Sequence, residues 1–99
     1  MDLADLTLAT FEPLVGDAFA VGSEATGVVP IELVLESATS AGDWPGGRQP
    51  FSLIFRGPPE PALPQAIYAL VHAGLGALQI FVVPIARDAE GVSYQAIFT

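Results

Sequence analysis

The chain is 99 residues long, 52% hydrophobic and only 14% charged, with a net charge of −8 and neither lysine nor cysteine. That length is one domain around a single core. The three scattered cations, Arg48, Arg56 and Arg87, cannot neutralise a run of phosphates, so nucleic acid and anionic lipid are excluded as expected partners, and disulfides and thiolate metal sites are excluded outright.

Charged residues usually make up about 25% of a globular chain. A domain this small has more surface than core, so part of its apolar excess must lie outside, and a second copy or another protein subunit is the expected partner. The acidic start Met1-Asp-Leu-Ala-Asp lacks the basic and apolar regions of a secretory signal. No apolar run approaches the ~20 residues of a membrane helix, so no membrane insertion is expected. The expected location is cytoplasmic, with signal-free export into an extracellular assembly the other compatible route.

In chain order, residues 1–16 form an N-terminal segment and 17–99 the β-structure. Thr10-Phe-Glu-Pro-Leu-Val-Gly16 predicts one short helix, capped by Thr10, with Pro13 early and Gly16 closing it in a left-handed conformation. Phe11 and Leu14 are placed to plug one end of the β-structure. Asp17–Val21 alternates and predicts a first strand. Val28–Ser37 predicts a second, with Ile31, Leu33 and Leu35 inward and Glu32, Val34 and Glu36 outward. Residues 38–50 carry glycines, prolines and the single Trp44, and predict the longest loop.

Phe51–Arg56 predicts a third strand with Phe51, Leu53 and Phe55 inward. A stiff proline-rich connection over 57–64 follows, then a fourth strand at Ala66–His72 and a turn through Gly76. Leu78–Ile85 and Val92–Phe98 predict a hairpin closed by residues 88–91. An uninterrupted ladder from that turn sets Arg87 opposite Val92, Ile85 opposite Tyr94, Val83 opposite Ala96 and Phe81 opposite Phe98. It leaves Ile80, Val82 and Ile97 on a second apolar face, which either the other sheet of a sandwich covers or a partner meets. No internal repeat is visible.

Six short strands, connections too short for crossover helices and one helical turn predict an all-β antiparallel meander. The expected forms are a small six-stranded barrel or a two-sheet sandwich.

Chemistry is sparsely signalled. His72 is the sole histidine and precedes a glycine turn, where its ring is expected to bond a turn carbonyl. A general base or metal ligand needs converging neighbours, and none is signalled. Asp88 and Glu90 lack the oxygen count of a calcium loop. Gly42-Asp-Trp-Pro-Gly-Gly47 matches no phosphate-binding loop; its Trp44 either anchors a partner or folds back over the barrel. Tyr68, Phe81, Tyr94 and Trp44 are the candidate walls of a ligand cavity, although a six-stranded interior is filled by its own side chains. No catalytic residue, cofactor or metal is expected.

The pattern Thr10-Phe11…Pro13-Leu14-Val15-Gly16, Pro50-Phe51-Ser52-Leu53…Phe55-Arg56-Gly57-Pro58, Leu63-Pro64-Gln65…Tyr68…Leu70…His72…Leu75-Gly76, Phe81-Val82-Val83-Pro84-Ile85 and Tyr94…Ala96…Phe98 resembles a family of short bacterial proteins known only as a domain of unknown function. The resemblance covers nearly the whole chain. It implies a standalone small domain with no known catalytic residues, and an association with neighbours of the phage-tail-collar type. The expected function is therefore a non-enzymatic structural or interaction module in a homo-oligomer, filament or tail-like assembly. The alternative is a small-ligand-binding barrel. The candidate interface is Trp44, Ile80, Val82 and Ile97, with His72 and Gly76 fixing a turn.

Overall fold

A computed structural model of the chain describes residues 7–21, 31–40, 50–59 and 63–98. The first element is a single helical turn, α1 (Leu8–Phe11), continued by a tighter turn over Glu12–Leu14. Its cap is Thr7 rather than Thr10: the Thr7 N–H donates to the Thr10 hydroxyl at 3.1 Å, so Thr10 serves from inside the helix. Pro13 falls in the tighter turn, where a missing N–H loses no bond. Gly16 then takes a φ of 98°, the left-handed stop expected of it.

Six strands follow: β1 (Ala18–Val21), β2 (Glu32–Ser40), β3 (Phe51–Gly57), β4 (Ala66–His72), β5 (Gly76–Asp88) and β6 (Gly91–Phe98). All pairings are antiparallel, and the sheet closes on itself as a barrel in the order β1-β2-β3-β6-β5-β4. The strands thus do not follow one another as a simple meander. Between β3 and β4 the chain crosses one end of the barrel, so that β3 meets β6 and β4 returns to β1.

The order hides a repetition. Exchanging β1-β2-β3 with β4-β5-β6 leaves every neighbour relation unchanged. The two long middle strands also behave alike. β2 pairs with β1 over Glu32–Val34 and with β3 from Val34 to Ser40. β5 pairs with β4 over Gly76–Val82 and with β6 from Val83 to Asp88. Just beyond each change of partner sits a β-bulge, at Glu36 in β2 and at Ile85 in β5. A bulge bends its strand and raises the local twist, which is what a strand needs to pass from one wall of a small barrel to the next.

The Ile85 bulge overturns the expected hairpin register. Arg87 does face Val92, but Pro84 rather than Ile85 faces Tyr94, and Val83 faces Gln95 rather than Ala96. One inserted residue reverses the inside and outside of everything preceding it on the strand. Ile80 and Val82, expected outside, are therefore core residues at 2% and 0% exposure, while Phe81 points out. Pro84 is tolerated because β5 has no β4 partner at that height.

Elsewhere alternation reads correctly. Leu33 and Leu35 in β2, and Phe51, Leu53 and Phe55 in β3, point inward with Phe19, Leu70 and Tyr94. The second strand runs on to Ser40, into the stretch expected to be loop. Each barrel end is closed by residues preceding a repeat. Phe11 enters one end against Phe51 and Phe98, with centroids 5.8 and 5.7 Å away; Leu14 packs partly buried beside it. Leu63, buried in the β3–β4 connection, closes the other. Its N–H donates to the Tyr94 hydroxyl at 2.9 Å, and the Tyr68 hydroxyl donates to the Pro64 carbonyl. Both tyrosines thus pin the crossing segment.

Candidate functional site

Three surface features stand on this scaffold: a histidine–aspartate pair, a tethered hairpin tip and an uncharged wall. The pair forms where β4 ends beside the start of β1. His72 Nε2 lies 2.9 Å from Asp17 Oδ2. Its Nδ1 accepts the backbone N–H groups of Gly74 and Leu75, at 2.9 and 3.3 Å. Nδ1 is thus unprotonated and Nε2–H donates to the carboxylate. The ring therefore bonds turn donors, not the turn carbonyl expected from sequence. It packs on Phe19, 4.8 Å between centroids, and is buried. Gly76 closes the same turn with φ 78°. Both ring nitrogens are thus hydrogen-bonded, one to Asp17 and one to the turn.

At the opposite end, the Arg56 guanidinium of β3 clamps Asp88, reaching its two carboxylate oxygens at 2.6 and 2.8 Å, and donates to Ser93 Oγ at 3.1 Å. Asp88 Oδ1 also accepts the N–H groups of Glu90 and Gly91. The arginine, followed by those N–H groups, holds the Asp88 carboxyl below the usual carboxylate range, and the same pairing raises Arg56. Asp88 thus organises the β5–β6 turn and ties it to β3. Tyr68 is raised too, chiefly by burial. Among the described residues no three His, Cys, Asp or Glu converge to hold a metal ion.

The third feature is a side of the barrel. No Asp, Glu, Lys or Arg occurs between Glu60 and Arg87, nor after Glu90. The outward residues of β4, β5 as far as Ile85, and β6 are accordingly all uncharged. Ile67 of β4 is 64% exposed and lies directly opposite Phe81 of β5, 50% exposed. Ile97 of β6, 61% exposed, follows Gln95 on the outer side, and Gln95 faces Val83. Val71 carries the apolar surface on towards Ala20 of β1. The remaining outward positions include Gln79 and Gln95.

Of the sequence candidates, Ile97 lies on this wall, Ile80 and Val82 lie behind it in the core, and Trp44 falls outside the described residues. Tyr68 and Tyr94 are interior, and Phe81 is not. Ile67, Val71 and Phe81 were missed as surface residues. The available signal was the long interval without charge. No helix among the described residues is long and apolar enough to cross a membrane.

These features define a closed six-stranded antiparallel barrel domain with plugged ends and one uncharged side. The chain belongs to the family described as Domain of unknown function (DUF6916), whose model matches residues 6–98. No curated protein and no solved structure matches the chain.

Proposed function

We propose that this domain is a non-enzymatic structural or interaction module, a subunit of a protein assembly such as a homo-oligomer, filament or tail-like particle, acting in the cytoplasm or in an exported particle. The observation that carries the reading is the cross-strand pair of Ile67 and Phe81, with Val83 opposite Gln95 and Ile97 following on the same side, on a wall without a charge in a chain of net charge −8. Exposed apolar residues scattered singly need no explanation, but a contiguous apolar patch marks a contact surface. Closure of the barrel favours contact by a face over strand addition at an edge. The ligand-binding alternative has less support, because Phe19, Leu33, Phe55 and Tyr94 fill interior positions that a ligand would need.

Light scattering across a concentration series, with affinity capture from native lysate, tests the reading. A mass above the monomer is expected. A monomer at every concentration, with no partner retained, overturns it.

A further inference from the structure

We infer that the occupant of the uncharged wall is the same wall of a second copy, packed face to face about a two-fold axis close to Phe81. This inference rests on the proposed reading and names the partner within it.

Charge placement selects the partner. The described carboxylates sit elsewhere: Glu12 and Asp17 near the end plugged by Phe11, Glu32 and Glu36 on β2, Asp88 and Glu90 at the hairpin tip. A basic partner would be drawn to those groups and would find nothing to pair with on β4, on β6 or on β5 as far as Ile85. Two copies of a chain with net charge −8 face the opposite constraint. They must meet where no carboxylates are set against each other, and among the described strands this wall meets that condition.

Its chemistry is also self-complementary. An isologous contact brings each residue type against the same patch. Ile67, Phe81 and Ile97 bury against one another in any such pairing. Gln79 and Gln95 carry amides, which both donate and accept and so pair with their own kind, as carboxylates and ammonium groups do not. Face-to-face packing of two sheets, about 10 Å apart, is the expected geometry. Edge pairing is guarded against, since the one-sided stretch of β5 carries Pro84 and the Ile85 bulge. Three strands ~4.8 Å apart give a footprint at or below the standard ~800 Å² per partner, so a concentration-dependent dimer is expected rather than an obligate one.

The test is sedimentation equilibrium from roughly 1 μM to 1 mM, on the wild type and on three variants. The wild type should pass from monomer to dimer and plateau there. Added salt should strengthen association, since it screens repulsion between the two acidic chains. F81E should remain monomeric and melt close to the wild type measured at concentrations where that is monomeric, because Phe81 lies half-exposed on the outer face. V34E, on β2 outside the wall, should dimerise as the wild type does. An equimolar mixture of F81E and F81K should recover the dimer, as opposite charges meet only if position 81 faces itself. A wild type that stays monomeric throughout overturns the inference; the broader reading then falls only if capture also fails. Association of F81E at wild-type strength, equal loss in V34E, or growth past the dimer without a plateau overturns this two-fold contact while leaving an assembly module standing.

Discussion

His72 and Asp17 are 55 residues apart in the chain and 2.9 Å apart in the fold, where they tie the β4–β5 turn to the residue that enters β1. The β1–β4 ladder beside them consists of two residue pairs, Ala20 with Val71 and Val21 with Leu70. The side-chain bond therefore reinforces the shortest ladder of the barrel. Replacing His72 by alanine removes a buried ring from Phe19 and strands the Gly74 and Leu75 N–H groups, at an expected loss of about 2–4 kcal/mol. Asp17→Ala removes one bond at a half-exposed position and should lose about 1 kcal/mol. Urea denaturation of both variants measures the ordering.

The Asp88 carboxyl is held below its ordinary range by Arg56 and by the turn N–H groups. A lowered folded pKa means the unfolded chain binds the proton more readily. Its contribution is therefore complete above the unfolded carboxylate pKa and is lost as pH falls through the lower folded value. Below that value the hairpin tip should loosen first. The protection of the Glu90 and Gly91 amides, taken relative to their intrinsic exchange rates at each pH, should fall on acidification in the wild type, whereas D88N should show low protection already at neutral pH and little further change.

Gly91 directly precedes Val92, the β3–β6 partner of Gly57, and neither glycine has a positive φ. Their requirement for glycine is spatial. A methyl group on Gly91 would strike the Gly57 carbonyl oxygen, which is backbone and cannot turn aside. One on Gly57 would come within 2.6 Å of Leu33 Cδ2, a side-chain end that can rotate. Gly91→Ala should accordingly lower stability by about 2–3 kcal/mol and Gly57→Ala by about 1–2 kcal/mol. Thermal melting of the two variants gives the comparison.

Phe11 contributes no strand, yet it is fully buried against both Phe51 and Phe98, whose rings stack on each other at 4.7 Å. Phe11→Ala should lose about 3–5 kcal/mol, a large part of the ~5–15 kcal/mol that holds a domain together. Phe81→Ala, on the outer wall, should leave the monomer's denaturation midpoint nearly unchanged. Comparable losses in both would contradict the inside–outside assignment of β5.

The strands that could be read from sequence were those with a wet side. In β2 and β3, polar residues mark the outward phase, so Leu33, Leu35, Phe51, Leu53 and Phe55 declare themselves. β5 carries a single polar marker, Gln79, in a run where Ile80, Phe81, Val82 and Val83 are apolar in both phases, and counting back from the turn gives the opposite phase. A ladder counted back from the turn is right only until the first irregularity, and Ile85 comes after three residue pairs. The strand order was hidden for a related reason. Nothing local distinguishes a proline-rich segment joining neighbouring strands from one crossing a barrel end. The outer wall was the most legible of the missed features, since an absence of charge survives any error in register. The His72–Asp17 pairing, by contrast, follows from closure and from nothing nearby in sequence.

Neither three-stranded half can seal itself, because the outer strands of each find their missing neighbours only in the other half, β1 in β4 and β3 in β6. A chain severed in the proline-rich segment should therefore yield two pieces that are each unstructured alone and regain the barrel when mixed. The same dependence makes ring closure a late, long-range event, so the intact chain should fold on the slow, millisecond-to-second scale of high-contact-order β proteins.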